Sequence, residues 1–282
     1  MIRFALIGCG TWGWRYIPSA IESLVARVTH VYRPKPHVDS KWISEVKIIE
    51  DWKQLINEPI DAVIIATPPN SHAEISEYFI SRGIPVIVEK PMTLNSKEII
   101  NPGNVPFLVN HIHLFSPAYE ELLDIYLSIK NSGKTYIYGW GGSYGPFRDY
   151  SEIWDYAPHD ISMCLGFLPN YPKIQYNKIL EKNNITLISE NVSCNLNIWN
   201  NSLPKTRRFE VFCRDNHFVY DDLEEYKLLL NGSPVIVSNE KPLVNVIIQF
   251  VKAIETGNMD WRFGSKIGMD VVKIIESCYI KG

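Results

Sequence analysis

The feature that most constrains this chain lies at its start. The apolar run "IRFALI" (Ile2 to Ile7) breaks into Gly8, Gly10 and Gly13 in a G-x-G-x-x-G register, and the chain continues as "WRYIPSAIESLVA" with apolar residues at helical spacing. Glycines at these spacings answer three separate needs. Gly8 permits a tight turn, Gly10 lets backbone approach a pyrophosphate, and Gly13 allows a helix to pack closely on a strand. Thr11 and Trp12 fall inside the same turn and join the candidate cofactor residues. Pro18, within the helical segment, predicts a kink or a late helix start.

The next strand-like runs are "VTHVYR" (Val28 to Arg33), "DAVIIAT" (Asp61 to Thr67), "IPVIVEK" (Ile84 to Lys90) and "VPFLVN" (Val105 to Asn110). Between them "SHAEISEYFISRG" has helical periodicity, with Asn70 and Ser71 suited to its N-cap and Gly83 to its C-cap. Such alternation predicts a parallel sheet with right-handed crossovers. After "SPAYEELLDIYLSIKNSGK", which reads as one helix ending at Gly133, the pattern changes. "TYIYGWGGSY", "NYPKIQYNKIL", "NITLISE", "VSCNLNIWN", "RRFEVFCRD", "HFVYDD", "YKLLLNG" and "PVIVS" are successive strand-like runs separated by turn signals, an antiparallel pattern. Two amphipathic segments, "PLVNVIIQFVKAIETG" and "GMDVVKIIESCYI", close the chain as helices. The expected fold class is therefore α/β: a Rossmann dinucleotide-binding domain over 1–115, then an α+β domain over 116–282 with a large open, mostly antiparallel sheet.

Composition narrows the partners. The 282 residues carry a net charge of −3, so the chain as a whole is no polyanion binder; nucleic acid is not expected, and a small molecule fits better. Cys9, Cys164, Cys194, Cys213 and Cys278 show no C-x-x-C and no Cys/His cluster, so no metal is expected and the thiols should be reduced. "MIRFALIG" lacks a signal-peptide core, and no run approaches the roughly 20 apolar residues of a membrane span. The expected location is the cytoplasm, with no membrane contact.

Where an acidic residue normally holds the adenosine ribose, the second strand ends in "VYRPKP". Arg33, with Lys35 nearby, suits a 2′-phosphate, so NADP is expected, with NAD possible if this is only a solvated basic turn. "ATPPNSHAEI" and "VEKPM" each follow a strand of the parallel sheet and lie at its carboxyl edge, where open α/β sheets bind ligands. Lys90 there can stabilise alkoxide character on a substrate oxygen, and Pro91 permits a cis bond after it.

Together "GCGTWG", "ATPPNSH", "EKPM" and "SPAYEEL", followed by a β-rich half with a D-x-x-x-H motif, resemble the glucose–fructose oxidoreductase, inositol dehydrogenase and rhizopine-catabolism (Gfo/Idh/MocA) family over nearly the whole chain. The resemblance implies NAD(P)-linked hydride transfer at a sugar, polyol or related carbon, with an open C-terminal sheet forming the substrate floor and often the subunit interface. It assigns catalytic roles to Lys90, Asp155 and His159, and places Thr67, Pro68, Asn70 and His72 near the nicotinamide half, with Glu89 beside Lys90. "VNHIHLFSPA" and "WDYAPHDIS" look most like members acting on nucleotide-linked amino sugars or uronic acids. The chain departs from the family in three places. The helix usual after E-K-P is cut to "NSKEIINPGN", His111 and His113 stand where many relatives have an arginine-rich segment, and "GPFRDYSEIWD" replaces a glycine-rich lead.

Read physically, Pro158 suits the first turn of a helix and Asp160 its positive end, with Ile161, Cys164, Leu165 and Leu168 as the buried stripe. Asp155 and His159 then stand at the entrance, where the helix N-terminus keeps His159 a neutral base and Asp155 orients its ring. His111, His113, Tyr144, Arg148 and Trp154 are the candidate substrate contacts, while His30, His37 and His217 read as structural. The expected function is an NAD(P)-dependent oxidoreductase of sugars or nucleotide sugars, acting on a small carbohydrate as a homodimer or homotetramer joined through the C-terminal sheet. Its alternatives are a nicotinamide-binding sensor or assembly partner without turnover, and an NAD-assisted glycoside hydrolase of the same family.

Overall fold

The computed structural model describes residues 1–32, 45–130, 133–143, 151–179, 182–200 and 205–280. They form two compact units, 1–112 with 241–269, and 113–240 with 270–282. The first boundary lies three residues from the one expected at 115/116, and the segment 241–269 returns to the first unit.

The first unit is built on six parallel strands, β1 (Ile2–Ile7), β2 (Ala26–Tyr32), β3 (Lys47–Ile49), β4 (Ala62–Ile65), β5 (Val86–Glu89) and β6 (Phe107–Asn110), in the order β3-β2-β1-β4-β5-β6. The short edge strand β3 is absent from the sequence reading, since three residues are too few to show a period. Phe4, Ala5, Leu6 and Ile7 are all fully buried, as are Ala62 to Ile65, because helices cover both sheet faces. One core gathers Val63, Ile65, Val86 and Val88 with Ile75 and Phe79 of α2 (His72–Ile80). On Phe4 lies Phe250 of α5 (Pro242–Thr256), ring centroids 6.2 Å apart. The helix after the glycine turn does start late: a 3-10 turn, Gly13–Arg15, precedes α1 (Tyr16–Glu22). Helix α2 closes at Gly83 (φ +73°), where Ile84 N–H donates to Phe79 C=O at 3.1 Å.

The second unit carries an eight-stranded sheet in the order β14-β13-β12-β11-β7-β10-β9-β8. Its strands are β7 (Thr135–Ser143), β8 (Lys173–Ile179), β9 (Lys182–Ser189), β10 (Val192–Asn200), β11 (Thr206–Cys213), β12 (Asn216–Asp221), β13 (Leu228–Leu230) and β14 (Ser233–Pro234). All neighbours pair antiparallel except β7 and β10, which are parallel because α4 (Glu152–Leu165) and the β8–β9 hairpin intervene. "PVIVS" contributes only Pro234, since an edge strand has no partner to extend it. Helix α3 (Pro117–Ile129) stops before Gly133, as Lys130 turns to φ −61°, ψ 142°. Helix α4 covers β7 and β10, and α3 covers β12 and β13. On the opposite face Tyr138 stacks on Trp140, and Tyr136 and Phe212 are exposed. The last helix, α6 (Lys266–Ile280), begins in the first unit and ends in the second.

Candidate active site

In the first unit the described candidate cofactor residues lie at or just after the carboxyl ends of β1, β4 and β5, with His72 opening α2. The strand order reverses between β1 and β4, and the crevice at such a reversal is where open sheets take dinucleotides. Gly8 has φ +96°, and a Cβ there would come within 2.6 Å of the Ala66 carbonyl carbon, so the loop after β1 lies directly on the loop after β4. A Cβ on Gly13 would strike the Gly8 carbonyl, which holds the turn closed. Gly10 differs: a Cβ there meets nothing within 4 Å. The turn therefore keeps open room on the side where a dinucleotide phosphate approaches backbone, and the residues present fit that group.

Behind the turn sits a buried polar cluster. Glu89 Oε1 accepts from Trp12 Nε1–H (2.6 Å), Tyr16 O–H (2.7 Å) and Asn110 Nδ2–H (2.8 Å). Burial raises the Glu89 carboxyl above its ordinary range, and the three donors pull against that shift. Burial likewise drives the Tyr16 phenol well above its ordinary value. Glu89 thus braces the glycine turn against β5 and β6 and has one oxygen fully engaged. Glu89, a candidate cofactor residue, supports the glycine turn from behind.

His72 likewise braces backbone. Its ring is fully buried, with Nδ1 3.0 Å from Pro91 C=O and Nε2 2.8 Å from Thr67 C=O. The ring lies between the "ATPPNS" loop and the E-K-P loop, one nitrogen facing a backbone carbonyl of each. Burial lowers its pKa and the backbone bonds oppose that, so the ring stays neutral and only one nitrogen donates. Ser71 Oγ–H lies 2.7 Å from Thr67 Oγ1 and 2.8 Å from Pro68 C=O, shaping the same loop. Asn70 and Thr11 are exposed, Lys90 is half-buried, and the Lys90–Pro91 bond is cis. His111 is fully buried in the first unit, which removes it as a direct substrate contact.

In the second unit Asp155 and His159 share one face of α4, one turn apart. The helix begins at Glu152, six residues before Pro158, because Ser151 is the residue with non-helical dihedrals (φ −59°, ψ 147°). Pro158 is therefore interior and brings no N–H to the Trp154 carbonyl, and His159 is not at the positive helix end that the sequence suggested. Asp155 is buried at 6% exposure, inside rather than at an entrance, whereas His159 is partly exposed. Trp154, at 7%, has little ring surface left for a ligand. His113 is nearly buried; its ring stands perpendicular to that of His159, centroids 4.9 Å apart.

Asp160 is no surface carboxylate at a helix end. It is 1% exposed beneath Gly139 and Gly141 of β7, where a Cβ on Gly141 would strike its Oδ2. Its Oδ1 lies 3.7 Å from Arg207 NH1. Burial raises its pKa to about 6, against the pull of Arg207. The bare β7 glycines are the sequence signal for this close approach. Arg33, Tyr144 and Arg148 lie outside the described residues, as does His37. The tie of Glu89 to Tyr16 and Asn110, and the Asp160–Arg207 pair, were not legible in the sequence, since each joins residues far apart along the chain.

Residues 2–101 match the model of the Gfo/Idh/MocA oxidoreductases, described as an oxidoreductase family with an NAD-binding Rossmann fold. Over residues 2–101 the chain is thus similar to the Gfo/Idh/MocA oxidoreductases. Among curated family relatives, the rhizopine catabolism protein MocA of Rhizobium meliloti is 29% identical over 130 residues, 43% of this chain and 41% of that protein. The scyllo-inositol 2-dehydrogenase (NAD+) of Bacillus subtilis is 28% identical over 131 residues, 43% of this chain and 38% of the other. The match thus spans about two fifths of the length of these relatives. A crystal structure from Magnetospirillum magnetotacticum, described as a candidate oxidoreductase, superimposes with a TM-score of 0.83 at 28% identity, covering 98% of this chain and 99% of that one. The Gfo/Idh/MocA match covers the glycine turn, the "ATPPNSH" loop and the E-K-P loop. Residues 91–106 contain no helix, as the shortened segment after Met92 implies. Among the described residues no helix is long and apolar enough to cross a membrane, and no three His, Cys, Asp or Glu side chains form a metal site. All five cysteines are buried thiols.

Proposed function

We propose that the chain is an NAD(P)-dependent oxidoreductase acting on a hydroxyl or ketone of a sugar, polyol or nucleotide sugar in the cytoplasm. The observation that carries this reading is the glycine turn at the β1/β4 crevice, open at Gly10 and braced on Glu89 beside Lys90. Bound nicotinamide supplies the site that accepts or returns hydride. Gly8, Gly10, Thr11, Trp12 and Gly13 hold the pyrophosphate, Arg33 reads a 2′-phosphate, and Thr67, Pro68 and Asn70 flank the nicotinamide half. In oxidation His159 takes the hydroxyl proton, Asp155 orients the ring, and the Lys90 ammonium steadies the negative charge left on oxygen. Ketone reduction runs the same groups in reverse. Self-association through the open face of the second sheet completes the reading.

Fluorescence titration with NADPH and NADH tests its foundation, since Trp12 lies in the turn; tight NADPH binding with weak NADH binding is expected. Turnover is then assayed on scyllo-inositol, myo-inositol and UDP-N-acetylglucosamine with either cofactor. Lys90→Ala and His159→Ala should each lower kcat by about 100-fold or more while the protein stays folded. Binding of neither cofactor by folded protein removes the enzyme reading. The non-helical stretch 91–106 favours a second reading, a nicotinamide-binding assembly partner, which cofactor binding without turnover and a stable complex with another protein would support.

A further inference from the structure

The second unit holds a hydrogen-bonded chain of side chains behind His159 that the reaction outlined above does not use. Strand β12 turns Tyr220 onto the helix-covered face, where the ring is fully buried. The 3-10 turn Ile112–Phe115 carries His113, and Ser116 follows it as the N-cap of α3, with Ser116 N–H donating to His113 C=O at 3.2 Å. Tyr220 Oη lies 3.1 Å from His113 Nδ1 and is hydrogen-bonded to the Ser116 side chain. His113 in turn packs edge to face on His159 at 4.9 Å, the two rings inclined at 89°.

Proton placement follows from these contacts. Burial and the nearby Asp222 raise the Tyr220 phenol, while Ser116 and Arg207 oppose them, so the phenol keeps its proton at any working pH. The protonated phenol offers its O–H to Nδ1 of His113, with the Ser116 hydroxyl as the second partner of the phenol oxygen. An imidazole that accepts at Nδ1 carries its proton on Nε2. Among the described residues, Asp155 and Asp160 on α4, Arg207 on β11 and Asp222 after β12 are charged groups of the same region. Two imidazolium rings at 4.9 Å would repel, so the charge state of one ring bears on that of the other.

We propose that His113, fixed in one tautomer by Tyr220, is a positioning residue that sets the ring orientation and proton affinity of His159. The inference rests on His159 being the base in the reading above.

Two-bond 1H–15N correlation spectra of histidine-labelled protein, recorded across pH, test it without a substrate. Wild type should show His113 as the Nε2–H tautomer. Tyr220→Phe, which deletes only the hydroxyl, should mix the tautomers and move the His159 midpoint by about half a pH unit or more. On whichever test sugar turns over, kcat should fall about tenfold, with KM and NADPH affinity held within about twofold. His113→Phe keeps an aromatic ring against His159 and should give the same His159 shift, so it serves if Tyr220→Phe does not fold. A role in packing alone would lower Tm and leave the His159 midpoint and the kcat-to-KM split unmoved, which overturns the inference. His159→Ala separates the two ideas: retained turnover in that variant removes the base assignment, whereas lost turnover with a normal Tyr220→Phe removes only the positioning role.

Discussion

Trp12 Nε1–H donates to Glu89 Oε1 at 2.6 Å, and this bond ties the glycine turn to the end of β5, 77 residues further along the chain. The carboxylate is buried and receives two further donors from Tyr16 and Asn110. A buried acceptor shared by three donors is costly to delete, because Tyr16 and Asn110 then lose an acceptor out of reach of water. Glu89→Ala should destabilise the protein by about 3 kcal/mol or more, and Glu89→Gln by about 1 kcal/mol, read by urea unfolding. Equal losses for both variants would mean that packing, not hydrogen bonding, accounts for the effect.

The three motif glycines separate folding from binding. Gly8→Ala meets the Ala66 backbone at 2.6 Å in a left-handed conformation, and Gly13→Ala meets the Gly8 carbonyl, so both should lower Tm and cofactor affinity together. Gly10→Ala meets nothing within 4 Å, so its stability should stay within about 0.5 kcal/mol of wild type while NADPH affinity falls at least about tenfold. Undiminished affinity in Gly10→Ala would remove the pyrophosphate from that turn.

Asp160 makes stability depend on pH in an unusual direction. Its folded pKa is raised from 3.8 to about 6, so between these values the folded chain binds more protons than the unfolded one. Stability from this group therefore falls as pH rises from 3.8 to about 6 and is level above. The stability difference between wild type and Asp160→Asn should shift against wild type across that window in denaturant melts. A difference that holds constant with pH would show Asp160 titrating alike in both states.

His72 acts with the opposite sign. Its folded pKa is lowered by burial below the ordinary 6.5, so its contribution is complete above that value and is lost as pH falls below it. His72→Gln should flatten this acid-side loss and, by loosening the tie between Thr67 and Pro91, weaken NADPH binding. Thermal melts at paired pH values, with a cofactor titration, read both effects.

Much of the first unit was legible because its signals are local. A strand buried on both faces is continuously apolar, a turn that must pass φ +96° requires glycine, and a helix that stops at Gly83 announces its end. Lys90, Asp155 and His159 were likewise proposed from short motifs, each within one loop or on one helix face. The start of α4 was misread since Pro158 suits a first turn, yet Ser151 is where the backbone leaves the extended region.

The α/β order of elements, the glycine turn and the residue types offered for chemistry are readable along the chain, because they depend on neighbours a few residues apart. That Glu89 and His72 brace backbone, that Asp160 is buried beside Arg207 and that Tyr220 meets His113 became visible in the folded chain. Burial and hydrogen bonding between distant segments decide those roles, and neither leaves a period or a spacing in the chain.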